Sequence, residues 1–193
     1  MSAMPKPRLT AQQYLALERE AEFKSEFFDG EMFAMAGASP PHNFIKENLS
    51  GELFARLKGG RCRTVTSDQR LNVERTGLFT YPDIIIFCGP PEYAPEDPYA
   101  LVNPTAIVEV LSPSTESYDR GSKFRNYQQI PSLVEYILVA QDEAVCERFA
   151  RQADGLWGYA PFVGLDAELV FTSVPVRIPL ADVYSGVALP VAT

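Results

Sequence analysis

Two carboxylates stand where an apolar environment would be expected to exclude them. Asp83 heads the run Ile84-Ile85-Ile86-Phe87, and Glu109 lies inside Ile107-Val108-Glu109-Val110-Leu111. Desolvating a carboxylate is costly unless a cation or hydrogen bonds compensate it. Two such acids on neighbouring strands, aimed at one point, make the hard-oxygen seat that Mg²⁺ or Mn²⁺ takes and shares with phosphate oxygens. For either acid alone, an edge-strand carboxylate pointing to solvent is the alternative. Lys123 follows in a polar helical segment and can swing back over the strand ends. A lysine there can orient or help deprotonate a water and offset phosphate charge. Without the two acids it would read as a surface helix lysine.

Other chemistries have little to work with. His42 is the only histidine, and no nucleophile-elbow pattern accompanies it, which leaves Ser-His-Asp and Cys-His catalysis without partners. Cys62, Cys88 and Cys146 lie far apart with no CxxC pair. Neither a zinc site nor a disulfide framework is expected, but three reduced cysteines in or near a core. The net charge of −8 argues against permanent residence on nucleic acid. Charge is uneven, however. Residues 56–75 hold six arginines and lysines against Asp68 and Glu74, and Arg61, Arg63 and Arg70 are candidate phosphate contacts; solvated surface is the alternative.

These groups need a sheet and a helix to bring them together. Thr10 reads as the N-cap of a helix through about Glu20. Phe23–Phe28 and Glu31–Met35 read as a hairpin, because Asp29-Gly30 suits a two-residue type I′ turn. After Ser39-Pro-Pro-His42, Phe44, Ile45, Leu49, Leu53, Phe54 and Leu57 recur at helical spacing, and Gly59-Gly60 ends the helix. Cys62–Thr66 and Arg70–Glu74 alternate like a strand pair turning at 67–69. The segments 81–87, 106–111 and 133–139 are apolar enough for burial on both faces. Residues 88–104 carry five prolines and read as a long loop, 119–129 as a polar helix, and 144–178 as a β-meander. The order points to an α/β (α+β) fold with a central mixed sheet flanked by helices.

The 193 residues suit a single domain, with 46% apolar and 22% charged residues as in ordinary globular chains. No apolar run is long enough to span a membrane, and the first eight residues lack the apolar segment of a secretory signal. A soluble, cytoplasmic protein is expected.

Five pieces occur in one order: Lys24-Ser-Glu-Phe-Phe-Asp-Gly-Glu31, Ser39-Pro-Pro-His42, Tyr81-Pro-Asp83, Ile107-Val-Glu-Val-Leu-Ser-Pro-Ser-Thr115 and Asp119-Arg-Gly-Ser-Lys123-Phe-Arg-Asn-Tyr127. Together they resemble the Uma-type restriction-endonuclease family, over about residues 8–185. The resemblance implies a PD-(D/E)XK nuclease fold, a Mg²⁺- or Mn²⁺-dependent phosphodiesterase site, and nucleic acid, DNA foremost, as partner. By that resemblance Asp83 and Glu109 are the metal-binding acids. Leu111 stands where the usual pattern puts the lysine, two residues after the acid, and Lys123 replaces it from the following helix. Glu26 matches the acid before Asp-Gly-Glu and reaches the metal or its waters, or else makes a hairpin salt bridge. His42 bonds a phosphate or a site carboxylate, or holds the loop before its helix. Gln128, one turn beyond Lys123, lines the same groove, and Tyr127 lines it or packs in the core. Nucleases that cut both strands often pair symmetrically, so a homodimer is expected. The alternative is a degenerate nuclease fold that serves as a nucleic-acid or protein-binding module.

Overall fold

The computed structural model describes residues 8–35 and 37–190. The N-terminal segment read above as lacking a signal lies, apart from Arg8, outside them. The chain opens with α1 (Ala11–Glu20), whose capping box pairs the Thr10 side chain with the Gln13 amide and the Gln13 side chain with the Thr10 amide. Strands β1 (Ser25–Phe28) and β2 (Glu31–Ala34) form the expected hairpin, and Asp29 and Gly30 both take the positive φ of a type I′ turn. Helix α2 (Pro40–Leu57) starts two residues before His42, where Ser39 caps it and two prolines occupy its first positions.

The strands that follow are β3 (Cys62–Thr66), β4 (Arg70–Val73), β5 (Leu78–Thr80), β6 (Ile84–Cys88), β7 (Tyr93–Ala94), β8 (Asp97–Leu101) and β9 (Ala106–Val110). A helical segment comprises α3 (Glu116–Tyr118), a π-helical turn (Asp119–Lys123) and α4 (Phe124–Tyr127). Next come β10 (Glu135–Val139), β11 (Val145–Arg151), β12 (Trp157–Val163), β13 (Glu168–Val170), β14 (Arg177–Pro179) and α5 (Leu180–Val183).

Two six-stranded sheets result, not one. The central sheet has the order β12-β11-β10-β9-β6-β3, with β9 and β10 parallel and the other neighbours antiparallel. The second has the order β2-β1-β5-β4-β8-β7. The supposed pair 62–66 and 70–74 is divided between them: β3 joins β6, whereas the turn at 67–69 carries the chain to β4 in the other sheet. The loop expected at 88–104 contains β7 and β8. The terminal meander is also divided, with β11 and β12 extending the central sheet and β13 and β14 pairing separately.

Period-2 alternation sorts the central strands onto two faces. Ile84, Ile86, Val108, Val110, Ile137 and Val139 pack against Ile45, Leu49, Leu53 and Leu57 of α2. Ile85, Phe87, Ile107, Leu111, Tyr136 and Leu138 meet Leu71, Val73, Leu78 and Leu101 of the second sheet, together with Tyr127, Ile130 and Leu133. Helix α1 covers the outer face of the second sheet through Tyr14, Leu15, Phe27 and Phe79. Phe44 and Phe54, counted above in the apolar stripe of α2, are exposed; Phe54 lies nine residues from Ile45, about half a turn round the helix. No helix among the described residues is long and apolar enough to cross a membrane.

The cysteine expectation is also corrected. Cys62 and Cys88 are register partners on β3 and β6 and form a disulfide, and Cys146 is free and buried. The partners are 26 residues apart in sequence, so strand register alone brings them together. Denatured protein without reductant should therefore show one thiol to a colorimetric reagent and three after reduction. Closing a loop of that length contributes about 3.5 kcal/mol, so Cys62→Ser with Cys88→Ser should lower unfolding stability by about that amount. Three thiols without reductant would contradict the pairing.

Candidate active site

The two carboxylates sit on one face because of strand parity. Register pairs Ile84 with Val108, so Asp83, just ahead of β6, falls opposite Glu109 on β9. Each acid is held by the other strand's backbone. The Asp83 amide donates to Glu109 Oε2 (3.2 Å), and the Val110 amide donates to Asp83 Oδ2 (2.8 Å). Both side chains point to the face that the helical segment crosses.

That crossing follows from topology. Parallel neighbours cannot be joined by a tight turn, so the chain between β9 and β10 must return across the sheet, and it does so as the helical segment. Lys123, at the end of the π turn, therefore comes back over the strand it left. Its Nζ lies 2.9 Å from Glu109 Oε1, 3.2 Å from Asp119 Oδ1 and 3.4 Å from Glu26 Oε1. It also sits 5.6 Å from the centre of the Tyr118 ring. Tyr127 OH donates to Glu109 Oε1 at 2.8 Å, and Thr80 Oγ1 on β5 donates to Glu26. His42 approaches from α2, with Nε2 3.2 Å from Asp83 Oδ2.

The Lys123 side chain is 7% exposed and that of Glu109 4%. Burial pushes the Glu109 carboxyl up, the nearby Lys123 charge opposes this, and Asp119 and Asp83 add to the rise, leaving it at about 8. For Lys123, burial acts to lower the pKa, but Glu109, Tyr127, Glu26 and Asp119 outweigh it and hold the group well above its usual value. Lys123 is therefore an ammonium at neutral pH, able to donate hydrogen bonds and offset negative charge but not to accept a proton. Burial, reinforced by Glu109, likewise keeps Tyr127 a phenol.

Asp83, Glu109, Lys123, Glu26 and His42 thus belong to one network. The other residues singled out in the sequence do not. Among the described residues Gln128 makes no side-chain hydrogen bond to the cluster, and its carbonyl accepts from Arg151. Arg70 is corrected: its guanidinium pairs with Asp97, which is fully buried, and donates to Tyr81 OH (2.8 Å), because a buried acid needs a counter-charge. Arg63 pairs in register with Phe87, about 13 Å along the strand from Asp83, and Arg61 lies farther on; both are exposed. Asp119, Tyr118 and Thr80 join the cluster as well, and the sequence does not single them out as site residues. Asp119 has a helical signal, four residues before Lys123; Thr80 has none, being carried by the second sheet.

The donor set fits a hard divalent cation. Asp83 and Glu109 offer carboxylate oxygens from adjacent strands, whereas Asp119 Oδ1 is already engaged by the Lys123 ammonium at 3.2 Å. No cluster of three or more His, Cys, Asp or Glu side chains among those residues forms a ready cage.

Comparison with known proteins places this chain among relatives. A family model, Uma2, described as "Putative restriction endonuclease", matches residues 11–181. The chain is 34% identical over 184 residues to "Uncharacterized protein slr1290" of Synechocystis sp., covering 95% of each chain. It is 35% identical over 164 residues to "Uncharacterized protein sll1609" of the same organism, covering 85% of this chain and 93% of the relative. In fold it matches a crystal structure described as "a putative nuclease belonging to DUF820" from Anabaena variabilis, with a TM-score of 0.75 at 19% identity over 92% of this chain and 98% of the other.

The buried charges make two predictions. The native state keeps the Glu109 proton to about pH 8, whereas the unfolded chain releases it near 4.5. Its contribution to stability is thus complete below 4.5 and disappears as pH rises through 8. Denaturant titrations of metal-free protein should show stability falling across that window, and Glu109→Gln should flatten the fall; an unchanged slope would contradict the assignment. Lys123→Ala removes the counter-charge that Glu26 and Asp119 share in the interior and should destabilise the protein by about 3–5 kcal/mol at pH 7, read by the same titrations.

Proposed function

This chain belongs to the Uma2 family, and on that premise we propose that it is a Mg²⁺- or Mn²⁺-dependent endonuclease hydrolysing phosphodiester bonds of DNA. The observation that carries the reading is the Lys123 ammonium 2.9 Å from Glu109, on the face that Asp83 shares.

In this reading Asp83 and Glu109 hold the ion. When bound, it lowers the pKa of a coordinated water and offsets charge on the scissile phosphate. Lys123, whose ammonium already faces Glu109, Glu26 and Asp119, stabilises the charge that develops on the phosphate through its fixed positive charge. It acts as a fixed cation, because its neighbours keep it protonated. Glu26 and Asp119 anchor the ammonium from two sides. The Tyr127 phenol fixes the rotamer of Glu109, and His42 fixes that of Asp83. Arg61 and Arg63, about 13 Å or more from Asp83, contact phosphates roughly four base-pair steps along a bound duplex. Residues 1–193 act as one domain, and a homodimer in the cytoplasm cuts both strands.

A degenerate, binding-only fold is disfavoured by the cluster itself. A buried ionic group without a task is replaceable by apolar residues of similar size at little or no loss of stability.

Purified protein with Mg²⁺ or Mn²⁺ should nick or cut plasmid DNA. Asp83→Ala and Lys123→Ala should each reduce the rate at least about 100-fold. In calorimetric titration Glu109→Ala should abolish Mn²⁺ binding. Cleavage that survives both substitutions, or Mn²⁺ affinity untouched by Glu109→Ala, would refute the assignment.

A further inference from the structure

A concave surface lies along the two elements that carry Glu26 and Lys123. A cleft of about 370 Å³ is lined by Phe28, Thr76, Ser122, Arg125, Asn126 and Gln129. It shares both walls with the cluster. Phe28 lies two residues beyond Glu26 on β1, hence on the same face of the strand. Ser122, Arg125, Asn126 and Gln129 recur at three and four residues along the segment that bears Lys123. Asn126 is fixed there by an Nδ2 hydrogen bond to the Ser122 carbonyl (2.8 Å).

We propose that this cleft is a subsite for an unpaired nucleotide adjacent to the scissile phosphate. The inference rests on the nuclease reading and names the form of substrate next to the cut. Phe28 supplies a ring for base stacking, and the Asn126 and Gln129 carboxamides supply donors and acceptors for base edges. Arg125 is exposed, makes no ion pair among the described residues, and is the one charged residue lining the cleft, so it meets the flanking phosphate. Charge separates this cleft from another, of about 330 Å³, which Glu47, Glu52 and Asp182 line and which repels a phosphodiester backbone. A base stacked within a duplex cannot reach Phe28, so the nucleotide must be single-stranded or splayed out.

The test is the affinity of a short fluorescein-labelled single-stranded DNA, read by anisotropy without divalent metal, with plasmid cleavage in Mn²⁺ measured in parallel. Phe28→Leu and Arg125→Ala should each weaken binding about tenfold. Arg177→Ala, a charge-matched change on β14, should retain wild-type affinity. Arg125 is on the surface, so its variant folds even if the Phe28 variant does not. Unchanged affinity in Arg125→Ala, an equal loss in Arg177→Ala, or no measurable binding by wild type overturns the subsite whether or not plasmid is cut. Tenfold losses in a protein that never cuts DNA support the subsite and reject only the nuclease reading.

Discussion

A single buried ammonium, that of Lys123, is shared by three carboxylates drawn from three parts of the chain. Glu109 belongs to the central sheet, Glu26 to the second sheet and Asp119 to the π turn. None could be buried ionised without the lysine, and the lysine could not be buried without them. The charge cluster therefore constrains how the two sheets and the crossing segment meet. If β1 slipped by one residue against its neighbours, Glu26 would turn to the other face of the second sheet and the ammonium would lose a partner.

Asp83 extends this network toward the outer layer. Its carboxylate accepts the Val110 amide from one strand and faces His42 from α2. The site thus stands where the α2 layer, the central sheet and the layer containing the second sheet converge. It is at a strand end, where backbone amides are free to hold carboxylates in place of continuing a ladder. The Glu109 carboxyl, raised by burial, and Lys123, held charged by its neighbours, are shifted by the same desolvated setting. Perturbed groups of this kind, gathered at one point, mark a site in a family described as nucleases more strongly than either residue alone.

How much was legible beforehand depended on whether the signal was local. Asp29-Gly30 showed a type I′ turn, because two positive φ values in succession suit few residue pairs. Thr10 showed a helix start for a similarly local reason, and its side chain caps the Gln13 amide. Asp83 and Glu109 stood out because an acid inside an apolar run needs a partner, and Lys123 because it followed them. Local signal failed where partners were distant. Alternation points the strand at 62–66 to its sequence neighbour 70–74, whereas its hydrogen-bond partner is 84–88. The same error hid the Cys62–Cys88 pair, whose meeting depends on register between strands 26 residues apart. Arg70 looked like a free cation until folding set it against buried Asp97.

By itself the sequence determined which side chains need one another: acids in apolar strands, a lysine one crossing later, and the turn and cap residues that end each element. Periodicity and desolvation cost act over a few residues, so both can be read along a line. Tertiary structure decided which strands are neighbours, and with that the second sheet, the disulfide, the loss of Arg70 to a structural ion pair and the third carboxylate around Lys123. Those outcomes depend on non-local pairing, in which a strand's partner is chosen by burial and register across the whole core.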